Sequence, residues 1–582
     1  MMEQKYRELC EILDISEGKN YSELNYLIKE VLIDFMKDKQ HPAIYCNGIH
    51  TSRLMADYVY ELKKVKYIID QNESSIAEGY NVISKGQIDE NGIDAVIISS
   101  FKFRKQIGIE LKNSFPHVRV LDIYEELEMR GIILKCEYYK INHPYSHYQE
   151  INSINLKIEN GSATTEDKKR LLSEYIKIKD FKNAKMCLEK LQNCLELDIS
   201  LQVSSLLSEI EALKLEYARR IASQNVVMLC CDGLRREDVC ENKMPIINKW
   251  MTEKTHFFDN AFSYSTSTFE SLMPVYSGNI DLSSDDYTKN VVNENECAFL
   301  QVAISQNREI YFYTDSDHMI ESDNVHYVGE TQTVTQKIWN FLCDAININN
   351  GLFYIHELYE THFSFPSPYV ESDIVAEGTN ILFDFLPHNG GVIRTDYEKQ
   401  QLQAVKYVDE MLGPILNELK CKVILFADHG NLVLNNKTTL EKINDEDLLA
   451  SNTLTHIPLA IYDGNDVNND MTLLSLYDLP SFIINLLNDE KINISKKEYI
   501  KIARNELYNP NFKSIYSMKA REEYRQAFEK FVFANGEYIY LFADGNVMCS
   551  TDSVCEELLS KVRVDITVLF DNQDIIVDDN RR

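Results

Sequence analysis

The chain has 582 residues, too many for a single hydrophobic core, so about two to four domains are expected. Its formal net charge is −31 and its pI is about 4.9. This charge argues against a nucleic acid or an anionic membrane as partner, because both select a basic surface.

The compartment is predicted from the cysteines and the first residues. The 13 cysteines are an odd number and show no Cys-x-x-Cys spacing, which predicts a reducing compartment and no disulfide framework. The charged N-terminus lacks the apolar region of a signal peptide, and no stretch has the roughly 18 apolar residues of a membrane span. We therefore expect a cytoplasmic protein without a membrane span.

Residues 1–40 are predicted to form two amphipathic helices, and residues 41–135 alternate strands with helices in a small parallel α/β domain that resembles a Rossmann-like module. Gly48, after the first strand, and Asp70, at the end of the second, are weak candidates for nucleotide binding. A scaffolding role or a degenerate pocket is the alternative.

The rest of the chain is predicted in three parts. Residues 145–222 form a polar helical connector that resembles one tetratricopeptide-type unit. Residues 223–505 return to α/β and are long enough for an enzyme domain. Residues 506–582 contain hairpin-like strands, and we expect this extension to pack on the enzyme domain.

Acids and imidazoles follow several predicted strands of residues 223–505. Asp232 follows "VVMLC", the pair Asp428-His429 follows "VILFA", His362 lies in a loop after "FYI", and His456 precedes "PLAIY". The carboxyl ends of parallel strands meet at one edge of a sheet, where ligands bind. Carboxylate and imidazole groups brought together there favour a divalent metal.

The segment "STSTFESLMPVYSG", residues 265–278, supplies four consecutive hydroxyl groups before a predicted helix. A metal lowers the pKa of a coordinated hydroxyl, and a helix N-terminus favours an anion. One of these hydroxyls is therefore predicted to act as a nucleophile on a phosphoryl or sulfuryl group.

The order D-G-x-R, T-S-T-F-x-S-L-x-x-x-x-S-G, T-H-F, A-D-H-G and H-I-P-L resembles the alkaline phosphatase superfamily. Its sulfatase-like branch, which includes phosphoethanolamine transferases and lipoteichoic acid synthases, resembles this chain over residues 223–500. The resemblance implies a mixed sheet sandwiched by helices.

Counting back from Ser277-Gly278 places Thr268 at the nucleophile position of the sulfatase motif and Ser271 at its serine. The chain departs from that motif at three positions: Thr268, Glu270 and Leu272. A threonine cannot become the formylglycine of sulfatases, so the resemblance implies chemistry at phosphorus. Ser267 and Thr266 are the fallback nucleophiles.

The resemblance also implies a ligand set for one tight zinc or manganese ion: Asp232, Thr268, Asp428 and His429. A second ion is possible but lacks a clear acidic ligand, for which Glu357 and Glu360 are only possible substitutes. His362 and His456 are predicted to contact the substrate or to protonate the leaving group. Further substrate contacts are predicted at Arg235, Ser267 and Ser271.

The expected function is that of a metal-dependent phosphotransferase or phosphodiesterase acting on a small-molecule or glycan phosphoester, such as a precursor of a surface polysaccharide. The alternatives are a sulfatase-like hydrolase, a phosphomonoesterase, and a non-catalytic scaffold. The sequence identifies neither the donor and acceptor nor the oligomeric state.

Overall fold

The computed structural model describes isolated positions between 131 and 138 and the ranges 1–15, 21–58, 61–70, 80–130, 144–190, 196–279, 292–314, 319–329, 332–362, 365–369, 397–431, 452–464, 467–504, 528–542, 547–551 and 555–566. Much of the predicted C-terminal extension, including residues 506–527 and 567–582, lies outside these ranges.

The contacts divide the chain into two units. The larger unit comprises Met1–Ser16, His147–Leu507 and Lys519–Arg582, and the smaller comprises Glu17–Ser146 and Tyr508–Met518. The two N-terminal helices were predicted together as residues 1–40, but the first belongs to the larger unit and the second to the smaller. The predicted helical connector is likewise part of the larger unit.

The smaller unit is built on a five-stranded sheet. Its strands are β1 (Pro42–Tyr45), β2 (Tyr67–Ile69), β3 (Asn81–Ile83), β4 (Ala95–Ile98) and β5 (Arg119–Leu121). Its helices are α2 (Tyr21–Met36), α3 (Ile49–Asp57), α4 (Arg104–Ser114) and α5 (Ile123–Met129). The strands are all parallel in the order β3-β2-β1-β4-β5, which confirms the parallel α/β pattern predicted here.

The larger unit begins with a helical layer. It contains α1 (Met2–Ile12), α6 (Pro144–Glu159), α7 (Thr165–Lys177), α8 (Phe181–Lys190) and α9 (Leu197–Arg220). The predicted hairpin is present as α7 and α8, joined at Asp180, a fully buried residue whose carboxylate accepts the backbone N–H of Asn183. The Thr164 side chain accepts the Asp167 N–H and thereby caps the first helix of the hairpin.

The remaining helices of the larger unit are α10 (Pro245–Lys254), α11 (Thr268–Ser277), α12 (Ala298–Ser305), α13 (Val334–Ala345), α14 (Tyr397–Glu418), α15 (Leu479–Leu487) and α16 (Cys555–Val562). Its large sheet contains β6 (Val226–Cys230), β7 (His256–Phe258), β10 (Glu309–Thr314), β12 (Val325–Gly329), β13 (Gly351–Ile355), β14 (Lys422–Phe426), β15 (Leu459–Tyr462) and β16 (Asn468–Asp470).

This sheet has the order β12-β10-β13-β6-β14-β15-β7-β16. It is mixed, because β15 runs antiparallel to both of its neighbours while the other described pairs are parallel. The predicted mixed α/β fold is therefore confirmed. Central strands β6, β13 and β14 are entirely buried and are apolar except for Lys422 at the start of β14, as expected for strands covered by helices on both faces.

Smaller sheets complete the unit. They are formed by the short pairs β8 (Ala261–Phe262) with β17 (Leu474–Ser475) and β9 (Val292–Asn293) with β11 (Ile320–Glu321), and by the antiparallel set β18 (Tyr499–Arg504), β19 (Phe528–Phe533), β20 (Tyr538–Phe542) and β21 (Val547–Cys549).

One pair of cysteines forms a disulfide that the sequence did not predict. Cys549 and Cys555 are bonded with their Cα atoms 5.6 Å apart, a single bond beside the predicted absence of a disulfide framework. The two residues are six positions apart, and nothing in their spacing predicted that the end of β21 meets the start of α16. Nine other described cysteines are free. None of the helices in the described ranges is both long and apolar enough to cross a membrane.

Candidate functional site

Two aspartates lie side by side because their strands are paired. Cys230 at the end of β6 is in register with Phe426 at the end of parallel β14. Asp232 and Asp428 each follow two residues later, so both reach the same edge of the sheet. Both are buried, with 3% and 0% of their surfaces exposed. Two buried carboxylates at one place call for a nearby cation, because each negative charge has lost its water.

The two oxygens of Asp428 have different surroundings. Oδ1 accepts the backbone N–H of Gly233 at 3.1 Å, which fixes the carboxylate. Oδ2 is buried, accepts no hydrogen bond from any described residue, and lies 3.4 Å from Nε2 of His429. A buried oxygen left without a donor is what a metal ligand requires before the ion binds.

His429 is oriented by its own backbone. Its Nδ1 lies 2.6 Å from the carbonyl oxygen of Gly430, to which it donates a proton in the neutral ring. This tautomer leaves a lone pair on Nε2, the atom that faces Asp428. Such a carbonyl partner is typical of metal-binding histidines, because it fixes both the tautomer and the ring orientation.

Thr268 completes the group at Nε2 of His429. It is the first residue of α11, it is half-buried, and its Oγ1 lies 3.3 Å from His429 Nε2. Oδ1 of Asp232 lies 3.5 Å from the same nitrogen. Oxygens of three residues thus surround one ring nitrogen at 3.3–3.5 Å.

These separations fit one small divalent ion. Ligand atoms bound at about 2.0–2.1 Å in a tetrahedron lie about 3.4 Å from one another. Two carboxylates, one imidazole and one hydroxyl suit zinc or manganese, and the donor types alone do not choose between them. The four residues predicted as ligands therefore fit the zinc or manganese ion that the sequence implies.

The other hydroxyls of the segment 263–271 hold Thr268 in place. Ser263 donates to the carbonyl oxygen of Ser265 at 2.6 Å, and Ser265 donates to Glu270 at 2.7 Å. Ser271, predicted to bind substrate, instead accepts the backbone N–H of Ser265 at 3.1 Å. Ser265, the first hydroxyl of the run, and the flanking Ser263 and Ser271 are therefore structural. Ser267 is half-buried at the helix start, and its side chain forms no capping bond there.

His362 reaches the cluster from a third strand. It follows the short 3-10 turn Tyr359–Thr361, after β13, which is the other neighbour of β6. One of its ring nitrogens lies within 4.8 Å of ligand atoms of both Asp232 and His429. Its ring meets that of His429 edge-on, with centroids 5.6 Å apart. A residue predicted to contact substrate is thus close enough to bind the same ion.

Sequence reasoning missed the residues that tie the three strand ends together. The Asn431 amide donates to the carbonyl oxygens of Gly233 at 2.8 Å and Thr361 at 3.1 Å. The Thr361 hydroxyl donates to the carbonyl oxygen of Asp232 at 2.7 Å. The position of Asn431, directly after Asp-His-Gly, could have marked it as a candidate. Its partners could not be foreseen, because they are distant in sequence.

Gly233 is required in this arrangement. Its φ of +66° lies in the left-handed region, and a Cβ on it would stand 2.0 Å from Nδ2 of Asn431. The glycine after Asp232 thus lets the loop approach the asparagine that links it to β14.

Two cysteines precede Asp232 in the chain. Burial, with the negative charge of Asp428 as a second cause, raises the pKa of Cys231 to about 12 and that of Cys230 well above its usual value. Among the described residues, the cluster that meets the geometry of a metal site contains neither cysteine.

Two predicted site residues are committed elsewhere. The buried guanidinium of Arg235 donates to both oxygens of Asp238, at 2.7 and 2.8 Å, so it is held in an internal ion pair. His456 Nε2 lies 2.8 Å from the carbonyl oxygen of Asp259, and its ring stacks on Phe262. The sequence did not predict these local partners, and the roles of Arg235 and His456 stay predictions.

The two glutamates considered for a second ion have other partners. Glu360 is fully buried; its Oε1 accepts the Tyr148 hydroxyl at 2.8 Å and the Val334 N–H at 2.7 Å, and burial raises its pKa to about 7. An oxygen of Glu357 lies 3.8 Å from His356. Among the residues that the structure describes, one cluster meets the geometry of a metal site, namely that of Asp232, His362 and His429.

In the smaller unit, the predicted nucleotide-binding residues form internal contacts. Asp70 accepts the backbone N–H of Asn47 at 2.8 Å, so it holds the turn before α3. Gly48 is the residue before that helix, with an extended φ of −130°. The ring of His50, the second residue of α3, lies 2.8 Å from Ser99 Oγ and 2.5 Å from the Tyr124 hydroxyl. Nucleotide binding by Gly48 and Asp70 stays a prediction.

Searches with protein-family models and among curated proteins returned no match. Solved structures similar to the chain include an alkaline phosphatase superfamily protein from Vibrio parahaemolyticus, with 13% identity, a TM-score of 0.35 and coverage of 56% of this chain and 79% of that one. The periplasmic domain of phosphoethanolamine transferase EptC from Campylobacter jejuni has 15% identity, a TM-score of 0.32 and coverage of 46% and 90%. A phosphonate monoester hydrolase from Silicibacter pomeroyi has 11% identity, a TM-score of 0.39 and coverage of 61% and 98%. At these identities and TM-scores, the substrate has to be argued from this chain's own residues.

Proposed function

We propose that the chain is a metal-dependent phosphotransferase or phosphodiesterase that uses Thr268 as its nucleophile. The observation that carries this proposal is the position of His429 Nε2, 3.3–3.5 Å from Thr268 Oγ1, Asp232 Oδ1 and Asp428 Oδ2. A hydroxyl held among metal ligands at the start of a ten-residue helix suits attack on an anionic ester.

Asp232, Asp428, His429 and Thr268 would hold one zinc or manganese ion, with His362 as a further ligand. The ion, when bound, lowers the pKa of a coordinated hydroxyl and offsets the charge of the transferred group. The chain fixes the ligands in advance. The Gly233 N–H orients Asp428, the Gly430 carbonyl orients His429, and the serine network orients the start of α11.

The proposed reaction has two displacements at phosphorus. The Thr268 hydroxyl gives its proton to water, and its oxygen forms a bond to phosphorus while the bond from phosphorus to the leaving alcohol breaks. The leaving oxygen takes a proton from water. A second alcohol, or water itself, then attacks the phosphothreonine, and the released Thr268 oxygen regains a proton. The first case gives transfer and the second gives hydrolysis.

Threonine at the nucleophile position supports phosphorus over sulfur, because threonine cannot be converted to the formylglycine that sulfatases use. We infer a phosphodiester of a small molecule or glycan as the substrate class. Decoration of a polysaccharide precursor in the cytoplasm is the specific setting that we propose, and it depends on the sequence resemblance alone.

The test compares a chromogenic phosphodiester, phosphomonoester and sulfate ester with the full chain and Mn²⁺ or Zn²⁺. We expect diester turnover that falls at least about a thousandfold in Thr268→Ala, as expected for loss of a covalent nucleophile. Ser267→Ala tests the fallback nucleophile: it should lower turnover far less than Thr268→Ala, and an equal loss in both variants would contradict the assignment to Thr268. Sulfate turnover that survives Thr268→Ala would contradict the mechanism. In a separate assay, an alcohol acceptor added to the diester reaction distinguishes transfer from hydrolysis.

A further inference from the structure

The loop that carries His362 is held from both sides by one helix, α6. The Tyr148 hydroxyl donates to Oε1 of Glu360 at 2.8 Å, two residues before His362. The Asn152 amide donates to the carbonyl oxygen of Ser367 at 3.0 Å, five residues after it. Tyr148 and Asn152 are four residues apart, so they lie on the same face of the helix.

These hydrogen bonds are buried, so the loss of one of them would lower stability. Tyr148, Glu360 and Ser367 are fully buried, and Asn152 is 3% exposed. A hydrogen bond lost at such a place leaves its partner without the water that would replace it. The positions of Glu360 and Ser367 therefore depend on α6 rather than on solvent.

Glu360 is connected to the metal cluster through its neighbours in the 3-10 turn. Thr361, the next residue, donates to the carbonyl oxygen of Asp232 and accepts the Asn431 amide at its own carbonyl. His362 follows directly. A displacement of Glu360 would therefore move a ligand candidate and the residue that supports Asp232.

We propose that Tyr148 and Asn152 are positioning residues for His362, so that α6 is a supporting part of the active site rather than only a connector. The proposal rests on the proposed function, because it assigns His362 to the metal. Neither residue touches the cluster; each acts through the loop that contains His362.

The experiment measures Mn²⁺ affinity of the full chain by calorimetry, without substrate. Tyr148→Phe removes one hydroxyl and keeps the ring. We expect it to weaken Mn²⁺ binding about fivefold, the value of one buried hydrogen bond of about 1 kcal/mol. Asn152→Ala should weaken binding to a similar extent and provides a second, independent probe of the same loop.

The matched control is Tyr175→Phe on α7. Tyr175 is also a buried tyrosine of the helical layer, and its side chain bonds Asn155 of α6, so this variant removes a hydrogen bond to the same helix without removing one to the His362 loop. A purely structural role predicts equal losses of stability and no change in Mn²⁺ affinity for both tyrosine variants. Thermal unfolding of each variant shows how far the fold itself is affected.

A double-mutant cycle shows whether Tyr148 acts through His362. In a His362→Ala background, Tyr148→Phe should cause no further loss of Mn²⁺ affinity. Equal losses in both backgrounds, or a Tyr148→Phe variant that binds Mn²⁺ like the wild type and Tyr175→Phe, would overturn the proposal while leaving the metal centre intact. A wild-type chain that binds neither Mn²⁺ nor Zn²⁺ would instead overturn the proposed function, and this inference with it.

Discussion

Both units place an aspartate and a histidine at the ends of parallel strands, yet their side chains are used differently. In the smaller unit, Asp70 accepts a backbone N–H, and both nitrogens of His50 lie at hydrogen-bonding distance from hydroxyls. In the larger unit, one buried oxygen of Asp428 accepts no hydrogen bond from any described residue. Nε2 of His429 lies 3.3–3.5 Å from oxygens of Thr268, Asp232 and Asp428.

The difference teaches that a polar residue at a strand end indicates a site only when some of its bonding capacity is unused. The aspartates occupy the same kind of position, shortly after a parallel strand, in the two units. The local hydrogen bonds decide whether it supports the chain or can bind a ligand.

The largest expected contrast is between the two histidines. His429→Ala removes a metal ligand and should lower diester turnover and Mn²⁺ affinity more than about a hundredfold, beyond the effect usual for groups that only support a ligand. His50→Ala should leave both unchanged but lower the free energy of unfolding by about 1–3 kcal/mol, because it removes the buried contacts of the ring with Ser99 and Tyr124. Turnover assays, calorimetry and denaturant unfolding of both variants check this. A loss of metal binding in His50→Ala would contradict the claim that the two histidines have different roles.

The two strand-end glycines should give the next contrast. A Cβ on Gly430 would lie 2.0 Å from the backbone oxygen of Thr453, whereas a Cβ on Gly48 meets nothing within 4 Å. Gly430→Ala should therefore displace the neighbouring His429 and lower the free energy of unfolding by about 1–3 kcal/mol. Gly48→Ala should be close to neutral.

Unfolding curves and Mn²⁺ titrations of these two glycine variants provide the check. Unchanged metal affinity in Gly430→Ala would mean that the backbone at Gly430 does not set the position of His429.

The smallest effect is expected at His456, a histidine of the larger unit whose ring is already committed. Nε2 of His456 bonds the Asp259 carbonyl. His456→Ala should therefore leave diester turnover nearly unchanged, as is expected of His50→Ala in the smaller unit. We expect diester turnover within about threefold of the wild type, with a stability loss of about 1 kcal/mol for the lost hydrogen bond. A pH–rate profile that loses one limb in this variant would show instead that His456 donates a proton, as the sequence suggested.

The sequence predicted the part of the cluster that depends only on the pattern of strands. Asp232 and Asp428 end apolar runs, and adjacent parallel strands bring such ends together, so their meeting followed from the pattern. Thr268 came from the resemblance and lies at the start of α11, as expected of a nucleophile at a helix N-terminus.

The sequence failed where a side chain has a choice of partners. Arg235 pairs with Asp238 three residues later, and Ser271 accepts a backbone N–H from its own loop. Asn431 and Tyr148 gave no signal, because their partners are separated from them by many residues and meet only in the folded chain. Hydrogen bonds of this kind depend on tertiary packing, which neither periodicity nor motif spacing encodes.

The most direct test of the account is a calorimetric titration of the wild type, Asp428→Asn and Asp70→Asn with Mn²⁺. The two substitutions make the same chemical change at equivalent strand ends of the two units. The account predicts one tight site in the wild type and in Asp70→Asn, and at least about a hundredfold weaker binding in Asp428→Asn. Equal affinities in all three proteins, or no binding in the wild type, would contradict it.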